Sequence, residues 1–414
     1  MDLCLKRIFS LLLLLLVVTT LTGCWDRKEL EEQAFVLTIG LDKCPVAETY
    51  IWTFQIAIPQ AMAGNVGVSG VSSTGKSSVN VSVEATTLFG AVNLLNSFID
   101  RKANLMHAKI IVVSEELARK DPAPFRSIIR YRELRRNIFV MVSEGKAKDI
   151  ISTYQPVLEQ NPAKFIETLI LNSNFTGLMP NTQLTDYLID QESEAIEATT
   201  ILVGKTGGLG HKKLKAELTA PYLPGEIPRE GGNDSEIIGV AIFRGTKMVG
   251  KLNGSENRIM GSLNGRLKRM FISFPDPQSP GKFVALDVRV GSPPKIKVNL
   301  QGERPLINVH LSFEADILSI QSEIDYTRPE MLKKLENSAV KLVSEATLKV
   351  IKKAQAMHTD VFGFGNQARH LVNTWDQWEK LNWKQLFPQA ETKVTVDFAI
   401  RRFGVMYQPI KPAK

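Results

Sequence analysis

Cys24 has the surroundings that point most clearly to chemistry. A basic pair at positions 6 and 7 precedes an apolar run over residues 8–18, and Leu-Thr-Gly at 21–23 leads directly to the cysteine. This is the order of a secretory signal that ends at a small-residue cleavage site. The last four residues resemble the lipobox of bacterial lipoproteins. We therefore predict that residues 1–23 are removed and that Cys24 becomes an S-diacylglycerol, N-acyl cysteine.

The apolar run of this signal is about 11 residues long, whereas a helix that crosses a bilayer core needs about 20. A permanent transmembrane helix is therefore not predicted, and the remaining alternative is an ordinary secretory signal with a chance cysteine at its end. A diacylglycerol and a further acyl group supply at least two chains, which is enough for stable anchoring. We predict a protein held by lipid at the outer face of a membrane.

Residues 70–77, Gly-Val-Ser-Ser-Thr-Gly-Lys-Ser, satisfy the pattern of a nucleotide-binding P-loop. The mechanism needs a buried strand before the loop and a helix after it, so that backbone N–H groups and the helix dipole meet the phosphates. The residues before Gly70 read as a polar loop, and those after Ser77 alternate as a strand. We interpret the motif as a flexible Gly/Ser loop.

Other residues with catalytic or metal-binding potential are scattered. The five histidines include no pair at the i, i+4 spacing that places two imidazoles on one metal, and His310 is predicted to be solvent-exposed. No Gly-x-Ser-x-Gly elbow occurs, and the pair Glu115-Glu116 is predicted to lie on a solvated surface. Cys44 is predicted to be a half-buried, inert thiol. The sequence thus indicates a protein without metal or cofactor that is not an enzyme.

The densest basic cluster lies between residues 126 and 136, where a helix would place Arg126 and Arg130 on one face. The cluster surrounds Tyr131 and consists of Arg126, Arg130, Arg132, Arg135 and Arg136. A solvated helix face is one interpretation. A contact with anionic lipid heads or with an acidic partner surface is the other. The overall charge of +8 is mild, and export argues against a nucleic-acid partner.

Hydrophobic residues make up 44% of the 414-residue chain, which is enough for two or three cores. Periodicity in the first half predicts alternating strands and helices. The predicted strands cover residues 34–41, 50–58, 79–83, 110–113 and 137–143, and the predicted helices cover 88–99, 125–136, 146–158 and 162–173. The first half should therefore be an α/β domain.

Glycine and proline become dense over residues 204–235, which we predict to be a connecting segment. Beyond it, residues 237–252 read as a hairpin that starts a new sheet. Residues 284–290, 307–313 and 394–400 alternate as half-buried strands. Thr327-Arg328-Pro329-Glu330 matches a capping box that opens a long helix, 329–357. The apolar residues of this helix share one face: Leu332, Leu335, Ala339, Leu342, Ala346 and Val350.

We therefore predict an α+β fold with several subdomains of mixed and antiparallel sheets packed with helices. The predicted divisions are a cleaved signal over 1–23, an N-terminal domain over 24–203, the connecting segment 204–235, a C-terminal domain over 236–405, and a tail over 406–414.

Three separated blocks resemble the Ger(x)C lipoproteins, the C subunits of GerA-type nutrient germinant receptors of spore-forming bacteria. The first block is residues 21–30 followed by Ile39-Gly40-Leu41-Asp42. The second joins residues 238–243 to Met248-Val249-Gly250. The third joins residues 360–365 to Trp375, Trp383 and Phe387-Pro388. The resemblance covers nearly the whole chain, except that residues 191–235 align with no pattern of the family and 401–404 are only loosely similar.

This resemblance implies a non-catalytic subunit of a germinant receptor, needed for nutrient-triggered germination. The implied location is the outer surface of the spore's inner membrane, and the implied partners are membrane-embedded A and B subunits and membrane lipid. Cys24 is the site residue that the resemblance carries over. A lipid-anchored extracytoplasmic solute-binding protein is the alternative, and it should show two similar βαβ-rich lobes around a cleft.

Overall fold

A computed structural model describes residues 5–13, 29–46, 48–59, 77–120, 128–154, 156, 158–209 and 220–404. Residues 5–13, within the predicted signal, form a helix with exposed apolar side chains. No helix in these ranges is both long enough and apolar enough to cross a membrane. The described body folds around two β-sheets.

The first sheet contains nine strands in the described chain and combines parallel with antiparallel pairing. Its strands are β1 (Gln33–Lys43), β2 (Tyr50–Ala57), β3 (Ser78–Ala85), β4 (Lys102–Asn104), β5 (Ile110–Ser114), β6 (Phe139–Ser143), β7 (Thr199–Lys205), β8 (Ser235–Arg244) and β9 (Lys247–Leu252). The order is β3-β2-β1-β5-β6-β7-β8-β9, and β4 pairs with the first residues of β1. The four central strands, β1, β5, β6 and β7, pair in parallel with one another in that order. The pairs β1-β2, β2-β3, β7-β8 and β8-β9 are antiparallel.

The central strands of this sheet are covered on both faces. Every residue of β5 and of β6 is buried, as expected for parallel strands between two layers of helices. Two separate cores result, one around Trp52 and Leu88 and one around Ile151 and Ile166. The covering helices are α1 (Leu88–Leu95), α2 (Glu115–Lys120), α3 (Ala147–Thr153), α4 (Pro162–Leu171), α5 (Ser173–Thr176) and α6 (Leu184–Glu192).

The second sheet has the order β10-β11-β12-β13 and is packed on one face. Its strands are β10 (Arg269–Pro275), β11 (Phe283–Asn299), β12 (Leu306–Ile320) and β13 (Glu391–Arg402). The associated helices are α7 (Gly254–Leu263), α8 (Pro329–Ala356), α9 (Phe364–Arg369), α10 (Trp375–Leu381) and α11 (Trp383–Leu386). Buried residues alternate along β12, so the predicted half-buried strands are confirmed.

The long helix α8 buries one side against this sheet through residues that include Leu335, Ala339 and Val350. The helix was predicted over 329–357, which agrees within one residue at its end. The predicted capping box is wrong. The N-cap is Arg328 without a side-chain cap, and the Thr327 hydroxyl donates instead to Asp325, 2.5 Å away.

Two further predictions are corrected by the structure. The hairpin β8-β9 does not start a new sheet, because β8 pairs antiparallel with β7, with Thr199 opposite Ile242. A local pattern identifies a hairpin but not the strand that its outer edge meets. The helix predicted over 125–136 is wrong in its described part, where Ile128–Arg130 forms a single 3-10 turn. The division at 204–235 stays a prediction.

The two halves of the described body are not alike. One sheet is mixed with a parallel centre, and the other is mainly antiparallel. Helix α7, with nine of its ten residues buried, lies between them and contacts β8, α8 and β12. The fold is therefore α+β as predicted, and the pair of similar lobes expected for a solute-binding protein is not formed.

Candidate functional site

The predicted lipidation site, Cys24, lies outside the described residues and stays a prediction. The description resumes at Glu29, and a 3-10 turn, Leu30–Glu32, leads directly into β1. Any anchor on Cys24 would therefore join the folded body at the first residue of β1. Such an anchor would therefore orient the first sheet relative to a membrane from the end at which β1 begins.

The P-loop pattern lies almost entirely outside the described residues, which resume at Ser77. The next element is β3, which pairs with β2 along its whole length, from Ser78 opposite Ala57 to Ala85 opposite Tyr50. A nucleotide site needs a helix at this point, because the helix N-terminus binds the phosphates. A strand stands there instead, as the alternation predicted.

Cys44 and His310 have ordinary structural surroundings. Cys44 is buried just after β1 with 3% of its surface exposed, more deeply than the half-buried thiol that was predicted. His310 lies on β12 and is half-buried rather than exposed, with its Nε2 3.2 Å from Asp397 on β13. Within the described ranges, no three His, Cys, Asp or Glu residues form a group that could hold a metal ion.

The carboxylates after β5 are not all solvated. Lys251 on β9 binds Glu115 at 2.7 Å and Glu144 at 2.5 Å, and therefore joins the ends of β5 and β6 to the hairpin. Burial alone raises the pKa of Glu115, but Lys251 and Arg119 outweigh it and lower the pKa below its usual value. The prediction of a wet surface thus holds for Glu116, which is exposed, and is wrong for Glu115.

One open cavity, of about 400 Å³, borders the segment between β7 and β8. Arg229 lines it, but its guanidinium donates to Glu236, 3.0 Å away, and to the carbonyl of Gly231, 2.6 Å away. The guanidinium of Arg229 is therefore used to hold the segment in place. This arrangement gives no convergent set of groups for a small ligand.

The first signature block joins β1 to helix α3. The buried carboxylate of Asp42 accepts the N–H groups of Ala147 at 2.7 Å and Lys148 at 2.9 Å, at the start of α3. Burial raises the pKa of Asp42, although these N–H donors act in the opposite direction. A Cβ on Gly40 would lie 2.6 Å from Cδ1 of Ile151, so glycine allows α3 to approach the strand. Both residues therefore have a packing role that sequence reasoning missed.

The third signature block is centred on Asp360, whose side chain is buried. Its carboxylate accepts four backbone N–H groups at the start of α9, and Trp383 Nε1 donates to Oδ2 at 2.9 Å. The backbone donors are Phe362 at 3.1 Å, Gly363 at 3.0 Å, Phe364 at 3.3 Å and Gly365 at 2.8 Å. Burial raises the pKa of Asp360 despite these donors. The segment is therefore a structural corner with a carboxylate at its centre.

The corner also joins the two halves of the chain. The carbonyl of Asp360 accepts the N–H of Glu197, which precedes β7, at 2.8 Å. A Cβ on Gly365 would clash with the carbonyl oxygen of Ala195 and lie 2.6 Å from Cδ1 of Trp383. Trp378 and Trp383 are buried, whereas Trp375 is 54% exposed.

The arginines of the basic cluster fall in a turn-rich segment rather than on a helix. Arg126 lies outside the described residues, and Arg130, Arg132, Arg135 and Arg136 are all exposed. Tyr131 packs edge-on against Phe89 of α1 with ring centroids 4.9 Å apart. The segment ends where Ile138 and Phe139 enter the core and β6, so its last arginines lie beside the start of that strand.

Comparisons with known sequences match both halves of the chain to one group of proteins. Residues 26–204 match the family described as spore germination protein N-terminal domain. Residues 238–404 match the family described as spore germination B3/GerAC like, C-terminal. The two matched ranges contain the Gly40–Asp42 and Asp360–Gly365 blocks.

Known spore germination proteins are similar to this chain over nearly their whole length. Putative spore germination protein YfkR of Bacillus subtilis (strain 168) is 23% identical, over 98% of this chain and 99% of that protein. Spore germination protein KC of the same organism is 24% identical, over 98% of each chain. The crystal structure of the GerBC protein has a TM-score of 0.53 and 16% identity, over 91% of this chain and 99% of that one, which shows a shared fold. The chain belongs to the Ger(x)C family of spore germination proteins.

Proposed function

We propose that this protein is a lipid-anchored, non-catalytic subunit of a spore germinant receptor. The observation that carries the proposal is the match of both halves of the chain to spore germination families, behind a signal that ends at Cys24. The proposed site of action is the outer face of the spore's inner membrane, and the proposed outcome is nutrient-triggered germination.

The anchor in this proposal is the lipid on Cys24, and no other cofactor is included. A thioether-linked diacylglycerol with an amide-linked acyl group has enough chains to hold the body on the membrane without a spanning helix. The described body supports this mode of attachment, because its β1 begins a few residues after the anchor position.

The proposed role is assembly rather than catalysis. The two buried signature carboxylates, Asp42 and Asp360, are occupied by backbone N–H donors at helix starts, so they are unavailable as general acids or bases. The proposed partners are the membrane-embedded A and B subunits of the receptor. The relatives named above are germination proteins, which is consistent with this assignment.

The proposal is tested by membrane fractionation of spores that carry a tagged chain, as wild type, Cys24→Ala or Cys44→Ala. Cys44→Ala is the matched control, because it removes the buried thiol and leaves the lipidation position intact. We expect wild type and Cys44→Ala in the membrane fraction together with a membrane-embedded partner, and Cys24→Ala in the released fraction.

Recovery of the Cys24→Ala chain in membranes at the wild-type level would contradict the anchor. Recovery of the wild-type chain from membranes without any membrane-embedded partner, but with a bound solute, would favour a solute-binding lipoprotein instead. Catalytic turnover by the purified chain would contradict the non-catalytic role.

A further inference from the structure

The starting ends of three parallel strands form one edge of the first sheet. The N–H of Lys109, just before β5, donates to the carbonyl of Leu37 on β1, 2.9 Å away. The N–H of Phe139, the first residue of β6, donates to the carbonyl of Lys109, also at 2.9 Å. The segments that lead into β5 and β6 therefore lie side by side, next to the first half of β1.

The loop between α1 and β5 is fixed to the same edge. Its short strand β4 pairs with β1, with Lys102 opposite Gln33. The side chain of Asn104 donates to the side chain of Gln33 at 3.1 Å. His107 packs edge-on against Phe35, with ring centroids 4.9 Å apart. The loop thus borders the point where the anchor segment enters the body.

Three exposed apolar side chains lie at this edge. Leu30 is 75% exposed, Phe98 58% and Met106 43%. Single exposed apolar residues are common on soluble proteins, but a group of them at one edge indicates an interaction surface. Leu30 is also the second described residue after the anchor position.

Exposed cations accompany these side chains. Lys102 lies on the loop, and Arg135 and Arg136 lie four and three residues before the start of β6. None of these three side chains has a carboxylate within ion-pair distance among the described residues. Exposed acids at the same edge, Glu31 and Glu32, reduce its charge, so charge alone does not account for the surface.

Some cations of this sheet already have partners within the protein. At the opposite edge Lys251 is bound by Glu115 and Glu144. At the starting edge Lys109 is bound by Glu167, 3.0 Å away. The three cations named above have no such partner among the described residues, so an external anionic surface can pair with them.

We propose that Leu30, Phe98, Lys102, Met106, Arg135 and Arg136, here named the anchor edge, dock directly on anionic phospholipid headgroups. Chain length supports this orientation, which rests on the proposed lipid at Cys24. Five residues separate Cys24 from Glu29 and span at most about 18 Å, whereas the opposite edge lies farther away by the length of β5, roughly 17 Å. The anchor edge is therefore the part of the sheet held nearest to the membrane.

A lipid surface fits this edge better than an acidic protein does. Phenylalanine, leucine and methionine side chains enter the boundary between headgroups and acyl chains, while lysine and arginine remain at the phosphates. Basic side chains near an anionic leaflet each strengthen attachment and lose this effect as salt screens them. The mixture of three apolar and three basic side chains matches both layers of such a surface.

Flotation with vesicles tests the proposal without the covalent lipid. The probe is the mature chain, residues 24–414, with Cys24→Ala, mixed with vesicles of phosphatidylglycerol and phosphatidylcholine or of phosphatidylcholine alone. We expect binding to the anionic vesicles, and at least about tenfold weaker binding after the triple change Lys102→Glu, Arg135→Glu and Arg136→Glu.

The matched control reverses three exposed lysines on the second sheet, Lys295→Glu, Lys297→Glu and Lys393→Glu, and should leave vesicle binding within about twofold of the parent. A second readout is independent of charge reversal. A polarity-sensitive dye on Phe98→Cys should shift to the blue on anionic vesicles, and the same dye on Lys295→Cys should not.

Equal losses in the triple variant and its control, or an unshifted dye at residue 98, would overturn the proposal. A failure to bind vesicles would overturn it even if the lipidated wild type fractionates with membranes, so the anchor and the edge are judged separately. Protection of Phe98→Cys from a water-soluble thiol reagent only when receptor subunits are present would assign the edge to a protein partner instead.

Discussion

Asp42 in the first half and Asp360 in the second half perform the same task in different surroundings. Each buried carboxylate accepts backbone N–H groups at the start of a helix, two at α3 and four at α9. A glycine beside each allows close packing. Gly40 faces the end of the Ile151 side chain, whereas Gly365 faces the backbone of Ala195 and the ring of Trp383.

This difference indicates which half is less tolerant of change. A side-chain terminus can rotate or be shortened, but a backbone carbonyl in a packed junction cannot move far. The corner at Asp360 also links the two halves through Glu197, so its loss affects more than one helix. Packing and helix capping account for the first and the third signature blocks, and neither role requires a ligand.

The largest expected effect is that of Asp360→Ala. The substitution leaves four backbone N–H groups and the indole N–H of Trp383 without their acceptor, and should lower the free energy of unfolding by about 4 kcal/mol. Asp42→Ala removes two such bonds and should cost about half as much.

Urea unfolding monitored by tryptophan fluorescence measures both values. Asp376→Ala is the control, because this exposed residue lies in the first turn of α10, and it should change stability by no more than about 0.5 kcal/mol. A cost for Asp360→Ala no greater than that for Asp42→Ala would break the comparison.

Gly365→Ala should have the next largest effect. Its new methyl group meets the carbonyl oxygen of Ala195 and the ring of Trp383, so we expect a loss of about 3 kcal/mol. Gly302→Ala, in the loop before β12, meets only a carbonyl oxygen 3.5 Å away and serves as the control in the same unfolding assay. Equal free energies of unfolding for the Gly365→Ala and Gly302→Ala proteins would show that the corner is not tightly packed.

Gly40→Ala should cost less, about 1–2 kcal/mol, because its closest neighbour is the terminal methyl group of Ile151. Shortening that neighbour with Ile151→Val should recover part of the loss in the double variant. A double-mutant cycle should therefore give a coupling energy of about 1 kcal/mol. Additive effects of the two substitutions would show that the strain arises elsewhere, for example at Thr53, 3.2 Å from the added carbon.

Asp190 provides the contrast of a half-buried carboxylate near the end of a helix instead of the start. Burial and the charge of Asp186 raise its pKa to about 6, and Arg266 counteracts them only in part. An acid with a raised folded-state pKa contributes stability that is lost as the pH rises through that value.

Asp190→Asn should therefore be more stable than wild type at pH 7 by about 1 kcal/mol, after allowance for partial exposure, and the difference should vanish near pH 4. Thermal unfolding between pH 4 and pH 7 measures it, with the exposed Glu192→Gln of the same helix as the control. A constant difference across this range would contradict the assignment.

Local patterns predicted most of the elements. Strict alternation gave β11, β12 and β13, because a strand with one buried face repeats every two residues. The apolar stripe of α8 gave that helix to within one residue. These signals lie within one element and need no knowledge of its neighbours.

Features that depend on distant residues were not predicted. The hairpin β8-β9 looks the same whether it joins an old sheet or begins a new one, so its pairing with β7 was missed. The roles of Asp42 and Asp360 were missed because each carboxylate and its donors meet only in the folded chain. Residue type alone also made Glu115 look solvated, although Lys251 binds it from β9.

The most direct test of the central claim is the mass of the N-terminal peptide of the mature protein, isolated from spore membranes and cleaved with trypsin. The account predicts a peptide that starts at Cys24, ends at Arg27, and carries a thioether-linked diacylglycerol with an amide-linked acyl group. A peptide that continues through Gly23 with an unmodified thiol at Cys24 would contradict the claim that this protein is held to the membrane by lipid.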